Sequence, residues 1–383
     1  MASTTLASTV SERVLWWAWS RIDGVGPVTL KRLHDHFGSL ADAWMADALS
    51  LQAVEGIGAK LAGAIAQQRH QRDLTQIQPV VPAAPGAYLT PADAAYPALL
   101  FEIADPPPVL YYQGDLALLS QCQIRPAVGI VGTRSPSDYG RRWTRRITVA
   151  LSRAGVTVVS GLADGIDREA HQSCLEHQGA TIAVLGTGVD VVYPSVNRDL
   201  HRAIADRGLL LSEYPPGTGP DRAHFPRRNR IIAGISRAVL VTEAPAKSGA
   251  LITARLANDY GRDVYVLPGS LDNPRSRGCL ELVNQGAQLV LEEDTLVAAM
   301  GAIPVDGEPG STASPPPTPL PPPDLAPPLL QVWQVLQGEP LTLDAIVIQA
   351  QPLTTGEVLS ALTQLELMGL VNQLPGSRYQ RAS

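Results

Sequence analysis

From about residue 126 the chain falls into short apolar runs, the first four closing on Gly or Ser, and the runs alternate with helix-length stretches. The runs are Ala127–Val131, Val156–Val159, Ile182–Leu185, Leu209–Leu211, Ala238–Val241, Val264–Leu267 and Gln288–Leu291. Within the first six runs the apolarity is continuous. That pattern fits strands buried on both faces, and alternation with helices makes the sheet parallel and doubly wound. The middle of the chain is therefore expected to be an α/β core.

The flanks read differently. Residues 1–80 are helical in pattern and carry a repeat. Ile22-Asp23-Gly24-Val25-Gly26 and Val54-Glu55-Gly56-Ile57-Gly58 share the form apolar-acid-Gly-apolar-Gly, and each precedes an apolar-periodic stretch. This resembles a tandem helix-hairpin-helix unit of the SAM-like kind. Amides at such helix starts can face a phosphate, but Asp23 and Glu55 put negative charge there, which favours helix packing. Residues 81–125 form a proline-rich bridge with a short strand expected at Val109–Tyr112.

Between Pro304 and Pro328, eleven of 25 residues are proline, so 301–327 is expected to be an extended linker. The tail, 328–383, reads as three helices and a hairpin around Pro375-Gly376-Ser377, the order of a winged helix. The helix expected at Thr355–Met368 holds Glu357 and Glu366 and no Lys or Arg. A protein contact is favoured there over duplex reading, with Arg378 and Arg381 the basic candidates.

Net charge is −6, but it is unevenly placed. Residues 126–280 carry twenty basic and fourteen acidic residues, a net of +6, and the remaining segments total −12. The field at a site follows local charge, so the acidic total does not exclude an anion groove in the core. Lysines number three, Lys31, Lys60 and Lys247, against 27 arginines. Cys122, Cys174 and Cys279 are scattered, with no metal-ligand spacing and no disulfide framework, which suits a reducing compartment. No apolar run reaches membrane-spanning length and no leader pattern is seen, so a cytoplasmic protein is expected.

In a doubly wound sheet ligands bind beyond the carboxyl ends of the strands. After the first run comes Gly132-Thr133-Arg134-Ser135, a turn that is not GxGxxG; Arg141, Arg142, Arg145 and Arg146 follow on a helix and read mostly as a solvated face. After the second come Ser160 and Gly161, able to donate to a phosphate, with Asp164 and Asp167 read as helix caps. Gly186-Thr187-Gly188 and Tyr193-Pro194 follow the third. Phe225-Pro226-Arg227-Arg228-Asn229-Arg230 opens an apolar helix, and its three guanidinium groups are not expected to point into a core together. After the fifth run come Glu243 and then Lys247-Ser248-Gly249, another phosphate-ready turn. No Walker loop occurs anywhere, which argues against ATP hydrolysis. So many phosphate-compatible turns on one sheet edge exceed what a small nucleotide needs and suit a strand of nucleic acid.

Five segments, VGTRSPSDYG (131–140), SGLADGID (160–167), LGTGVDVVYP (185–194), FPRRNRIIAG (225–234) and SGALITARLA (248–257), resemble the DprA/Smf family of DNA-processing proteins of bacterial transformation. The resemblance spans about 90 to 300. The module order also agrees: a SAM-like domain (1–80), a bridge plus extended Rossmann-like core (81–300), the linker, and a winged-helix-like domain. It implies a homodimer without enzymatic activity or cofactor that binds single-stranded DNA and loads the RecA recombinase. Carried over by motif, the DNA contacts would be Arg134, Ser160, Gly161, Arg227, Asn229, Arg230, Lys247, Ser248 and Gly249; Arg228 joins them on the residue reading. The family's usual Gly-x-Asn element is Gly278-Cys279-Leu280 here, without the polar residue. The rival reading is a nucleoside-monophosphate-processing enzyme of the lysine-decarboxylase-like (LOG) type. The Gly-Gly-x-Gly-Thr-x-x-Glu loop of that type is missing, and PAKSGALIT (245–253) stands in its place. His171 reads as a packing residue rather than a base.

Overall fold

The sheet is assembled around β3, Ala127–Val131, which pairs in parallel with both β4, Thr157–Ser160, and β7, Ala238–Val241. From β4 the parallel pairing continues to β5, Thr181–Leu185, and β6, Leu209–Ser212. From β7 it continues to β8, Asp263–Val266, and the short edge strand β9, Gln288–Leu289. The expected bridge adds two antiparallel strands at the other edge, β1 at Tyr88–Leu89 and β2 at Leu110–Gly114. The order is β1-β2-β6-β5-β4-β3-β7-β8-β9. This computed structural model describes residues 10–71, 88–301, 325–336, 341–368, 370–374 and 378–381.

Continuous apolarity has a direct cause in this sheet, because successive residues of one strand enter different cores. Val128 and Ile130 of β3 pack with Ile147 and Leu151 of helix α8 (Asp138–Arg153) and with Ile166 and Ala170 of α9 (Ile166–Glu176). Ala127 and Val131 face the opposite layer, with Ile231 and Ile232 of α11 (His224–Ile235) and Leu251 and Ala254 of α12 (Ala250–Asp259). Helix α10, Arg198–Arg207, covers β5 and β6 through Ile204. Beyond β8, α13 (Arg277–Asn284) contributes Cys279 and Leu282, and α14 (Glu293–Ala299) contributes Leu296. Both helices of the bridge, α6 (Ala98–Glu102) and α7 (Ala117–Gln121), join the same core through Leu100 and Leu119.

The N-terminal helices are α1 (Glu12–Trp19), α2 (Pro27–Phe37), α3 (Leu40–Met45), α4 (Ala48–Leu51) and α5 (Ala59–His70). Each glycine repeat lies just ahead of a helix: Gly26 caps α2 and Gly58 caps α5. Gly24 and Gly56 hold φ of +85° and +88°, which glycine adopts without a Cβ clash. The two loops are bound by each other's helices. The Asp23 amide donates to Gln68 Oε1 at 3.1 Å on α5, and Arg32 on α2 donates to the Glu55 carbonyl at 3.2 Å. The repeat thus packs two hairpins against each other. This bundle and the α/β region form one compact unit, Met1–Val305. Phe101 of α6 enters the helical core edge-on to Trp16 at 6.1 Å, and Arg13 pairs with Asp93 at 3.3 Å.

The second unit, Asp306–Ser383, is a winged helix. It contains α15 (Pro327–Val335), β10 (Leu341–Thr342), α16 (Leu343–Gln349), α17 (Thr355–Leu367), β11 (Val371–Leu374) and β12 (Arg378–Arg381). The sheet is three-stranded, β10-β12-β11, so the expected hairpin gains a strand. Glu357 closes a capping box with Thr354 at the start of α17, instead of standing free on the helix face. The Arg381 guanidinium lies 3.4 Å from the Trp333 ring centroid and donates twice to the Trp333 carbonyl. It is thereby occupied within the unit. Most of the proline-rich stretch and the turn at 375–377 fall outside the described residues.

Candidate nucleic-acid interface

Strand order reverses between β3 and β7, since the chain runs outward to β6 on one side and to β9 on the other. The connections on the two sides leave a crevice at the carboxyl ends of these strands, the standard position of a ligand in an open α/β sheet. A groove of about 670 Å³ occupies that place. It is lined by the turn after β3 (Gly132, Thr133, Arg134), the first turn of α11 and the loop from β7 into α12 (Pro245, Lys247, Ser248, Gly249).

Arg134, Arg228, Asn229, Lys247, Ser248 and Gly249, separated by up to 115 positions, all border this groove. Arg134 is exposed, with its guanidinium 5.9 Å from the Phe225 ring centroid. Lys247 and Gly249 are exposed ahead of α12. Asn229 Nδ2 donates to the Gly249 carbonyl at 3.4 Å and ties α11 to that loop.

Four of the expected contacts have other partners. Ser160 is fully buried and its hydroxyl donates to the Ile130 carbonyl at 2.6 Å. The Gly161 amide donates to Asp167 Oδ2 at 3.1 Å. Arg228, 4% exposed, donates to the carbonyls of Gly161 and Val184 and forms part of the groove floor. Burial pushes its pKa down to about 10, against the attraction of Asp167. Arg230 is 3% exposed and grips Glu213 with two bonds of 2.7 and 2.9 Å, while its Nε lies 3.0 Å from Asp105 Oδ2. The three guanidinium groups thus do not all enter the core, but two of them point inward instead of standing open to a ligand, because carboxylates and carbonyls converge on them. Arg227 remains exposed beside the groove, 3.8 Å from Glu213.

The acids expected as caps or turn residues do more than cap. Asp167 sits inside α9 and binds the Gly161 and Ala163 amides, fixing the loop after β4. Burial raises its pKa, with the Arg228 guanidinium opposing. Glu243, 1% exposed, accepts from the Ser137 amide and hydroxyl, both at 2.8 Å, and from Asn273 Nδ2 at 3.2 Å. It stitches three groove-side loops together. His171 is fully buried against Thr181 Oγ1 at 2.7 Å, and burial drives its pKa down to about 3. At Gly278 the backbone amide bonds the Ala244 carbonyl, and a Cβ would lie 2.7 Å from that oxygen. The glycine of this element is sterically required, while Leu280 offers no polar atom.

Two groove residues were not singled out by the sequence as contacts, Arg222 and Tyr193. Tyr193 is 39% exposed and its ring is 5.3 Å from that of Phe225, tilted by 31°. The available signal was position: Tyr193 lies in the loop after β5, and Arg222 just before α11.

Residues 87–301 match the family model described as DNA recombination-mediator protein A. The chain belongs to this family. Two more models flank that match in the DprA/Smf order, a SAM-like helix-hairpin-helix tandem over 20–69 and a DprA winged helix domain over 315–377. Protein Smf of Synechocystis is 50% identical over 97% of this chain and 99% of its own length. DNA processing protein DprA of Streptococcus pneumoniae is 45% identical over 54% of this chain and 71% of its own. The crystal structure of the pneumococcal DprA superposes with a TM-score of 0.64 at 34% identity, covering 76% of this chain and 98% of that one. A Helicobacter pylori DprA structure, described for its single-stranded DNA binding mode, gives 0.51 at 32% identity over 56% and 95%.

Proposed function

We propose that this DprA/Smf chain binds single-stranded DNA in the β3/β7 groove and serves as a recombination mediator that loads RecA in transformation. The observation that carries the reading is the charge of the groove. Four cations, Arg134, Arg222, Arg228 and Lys247, line it against one carboxylate, Asp167, which is buried and holds two amides. Phosphates would meet Arg134, Arg222, Lys247 and the Ser248–Gly249 turn, with Arg227 and Asn229 at the margin. The buried Arg228 supplies field from beneath. Phe225 and Tyr193 offer ring faces that only an unstacked base can use, which favours a single strand over a duplex. The single-strand binding mode described for the H. pylori relative supports the same assignment.

In this reading the protein is a cytoplasmic homodimer and carries out no catalysis. The carboxylates nearest the groove, Asp167 and Glu243, already accept structural hydrogen bonds, and His171 is buried neutral between α9 and β5. The test is fluorescence anisotropy with labelled single-stranded and duplex oligonucleotides over a salt series. Neutralising about four phosphates gives a log K against log[salt] slope of roughly −3. Arg134→Ala should weaken binding to all sequences alike and flatten the slope by about 0.7. Equal affinity for duplex, or an unchanged Arg134→Ala in a folded protein, would remove the groove assignment. Release of free base from AMP would favour the nucleotide-processing rival.

A further inference from the structure

Four arginines lie on α8, and the structure divides them into two pairs. Arg145 and Arg146 are neutralised by carboxylates, Glu169 at 2.9 Å and Glu293 at 2.6 Å. Arg141 and Arg142, one turn nearer the groove, are exposed and have no carboxylate within ion-pair distance among the described residues. Arg142 lies 5.9 Å from the Tyr139 ring centroid, and the Arg141 guanidinium has no partner there at all.

The local fold ties the start of their helix to the turn that carries Arg134. Ser137 caps α8 and bonds Glu243 through both its amide and its hydroxyl. Asn273 bonds the same carboxylate, and its Oδ1 receives the Arg275 amide at 3.0 Å. The exposed Arg275 then donates from Nε to the Ser135 carbonyl at 3.0 Å, one residue from Arg134. One buried anion thus locks the turn after β3, the start of α8 and the loop before α13 into a single surface. Arg134 and Arg275 are carried by the locked loops, and the exposed Arg141 and Arg142 by the first two turns of α8. Asp138 and Asp272 share the surface and pair with none of them.

We propose that this surface is an exit track for the sugar-phosphate backbone of the strand held in the groove. The strand would leave at Arg134, cross Arg275 and end at Arg141 and Arg142. Charge complementarity selects the occupant: unpaired guanidinium groups continue a cationic groove outward, and the carboxylates at Glu169 and Glu293 end the attraction one turn later. The proposal rests on the groove holding single-stranded DNA.

The test compares the full chain with Arg141→Ala/Arg142→Ala and with Arg145→Ala/Arg146→Ala, which removes the same charge from the same helix. Alanine is the best helix former, so both doubles keep α8. Anisotropy is read with oligothymidylates of about 5 and about 15 nucleotides, within the site sizes typical of single-strand grooves. On the short strand the first double should stay within about twofold of the parent, because the groove alone is filled. On the long strand its salt slope should flatten by about 1.4, two single-strand phosphate contacts. The second double should follow the parent at both lengths. A parent that binds both strands while the two doubles behave alike overturns the track and leaves the groove standing. A parent that binds neither strand overturns both.

Discussion

Arg230 separates a DNA contact from a structural one. Replacing it with methionine keeps an unbranched stem of similar reach and deletes the charge. In the native protein the side chains of Arg230 and Glu213 are 3% and 8% exposed, and the guanidinium makes two bonds to Glu213 and one to the Asp105 carbonyl at 3.0 Å. The variant leaves the buried Glu213 without its two close bonds and with only the exposed Arg227, 3.8 Å away, as a cation. Breaking a buried pair from one side costs about 3–5 kcal/mol, most of it from the stranded charge. Urea unfolding followed by circular dichroism should show that loss as a lower midpoint at similar slope. The companion Arg230→Met/Glu213→Leu strands neither of those two charges and should recover most of the stability, since apolar replacements of buried pairs are often neutral or better. Single-stranded DNA affinity, measured well below the new midpoint, should change little. A variant of native stability that loses DNA affinity would refute this account and make Arg230 a phosphate contact. A double variant no more stable than the single one would refute the stranded-charge argument.

Two other substitutions test the groove floor and the core behind it. In Gly161→Ala the new Cβ would sit 2.6 Å from Arg228 Cζ, so the guanidinium must leave the Gly161 and Val184 carbonyls. A loss of about 1–3 kcal/mol in urea is expected, together with weaker DNA binding; native stability would contradict the interlock. His171 titrates near 6.5 when unfolded and about 3 when folded. Between these values the unfolded chain holds a proton the folded one lacks, so stability falls as the pH falls, by about 1.4 kcal/mol per unit. His171→Leu removes that contribution, and its stability deficit should narrow by roughly 1.6 kcal/mol from pH 6.5 to 5, the unfolded histidine being half protonated at the upper end. Parallel pH curves for the two proteins would count against it.

The sheet was legible because its signal is local. A strand covered on both faces is apolar along its length, so the first six runs announced themselves without a partner being known. Ends moved by a residue or two, and the last run kept only Gln288–Leu289 as strand, both exposed at the edge. Short elements were harder to read. β1 and β10 are two residues each, too brief for a period, and exist because a neighbouring strand pairs with them. The glycine repeat was visible, but the reciprocal bonds from Gln68 and Arg32 that bind its loops were not.

The site divided along the same line. Sequence alone located the anion-ready turns, since glycine-rich stretches after apolar runs must lie at one sheet edge, and it placed basic charge in the core rather than the flanks. It could not decide which side chains face the groove. Arg227, Arg228 and Arg230 are neighbours of identical chemistry, yet one faces solvent, one forms the floor and one is locked to Glu213. Direction depends on which carboxylates and carbonyls the fold brings within reach, and those come from residues as distant as Asp105, Gly161 and Val184. The seating of Ser137, Asn273 and Arg275 around Glu243 has the same origin. The sequence determined the elements, the sheet edge and the sign of the charge, because each is set by local pattern. Only the tertiary structure decided which groups remain free to meet a ligand, because a buried charge is placed by partners remote in the chain.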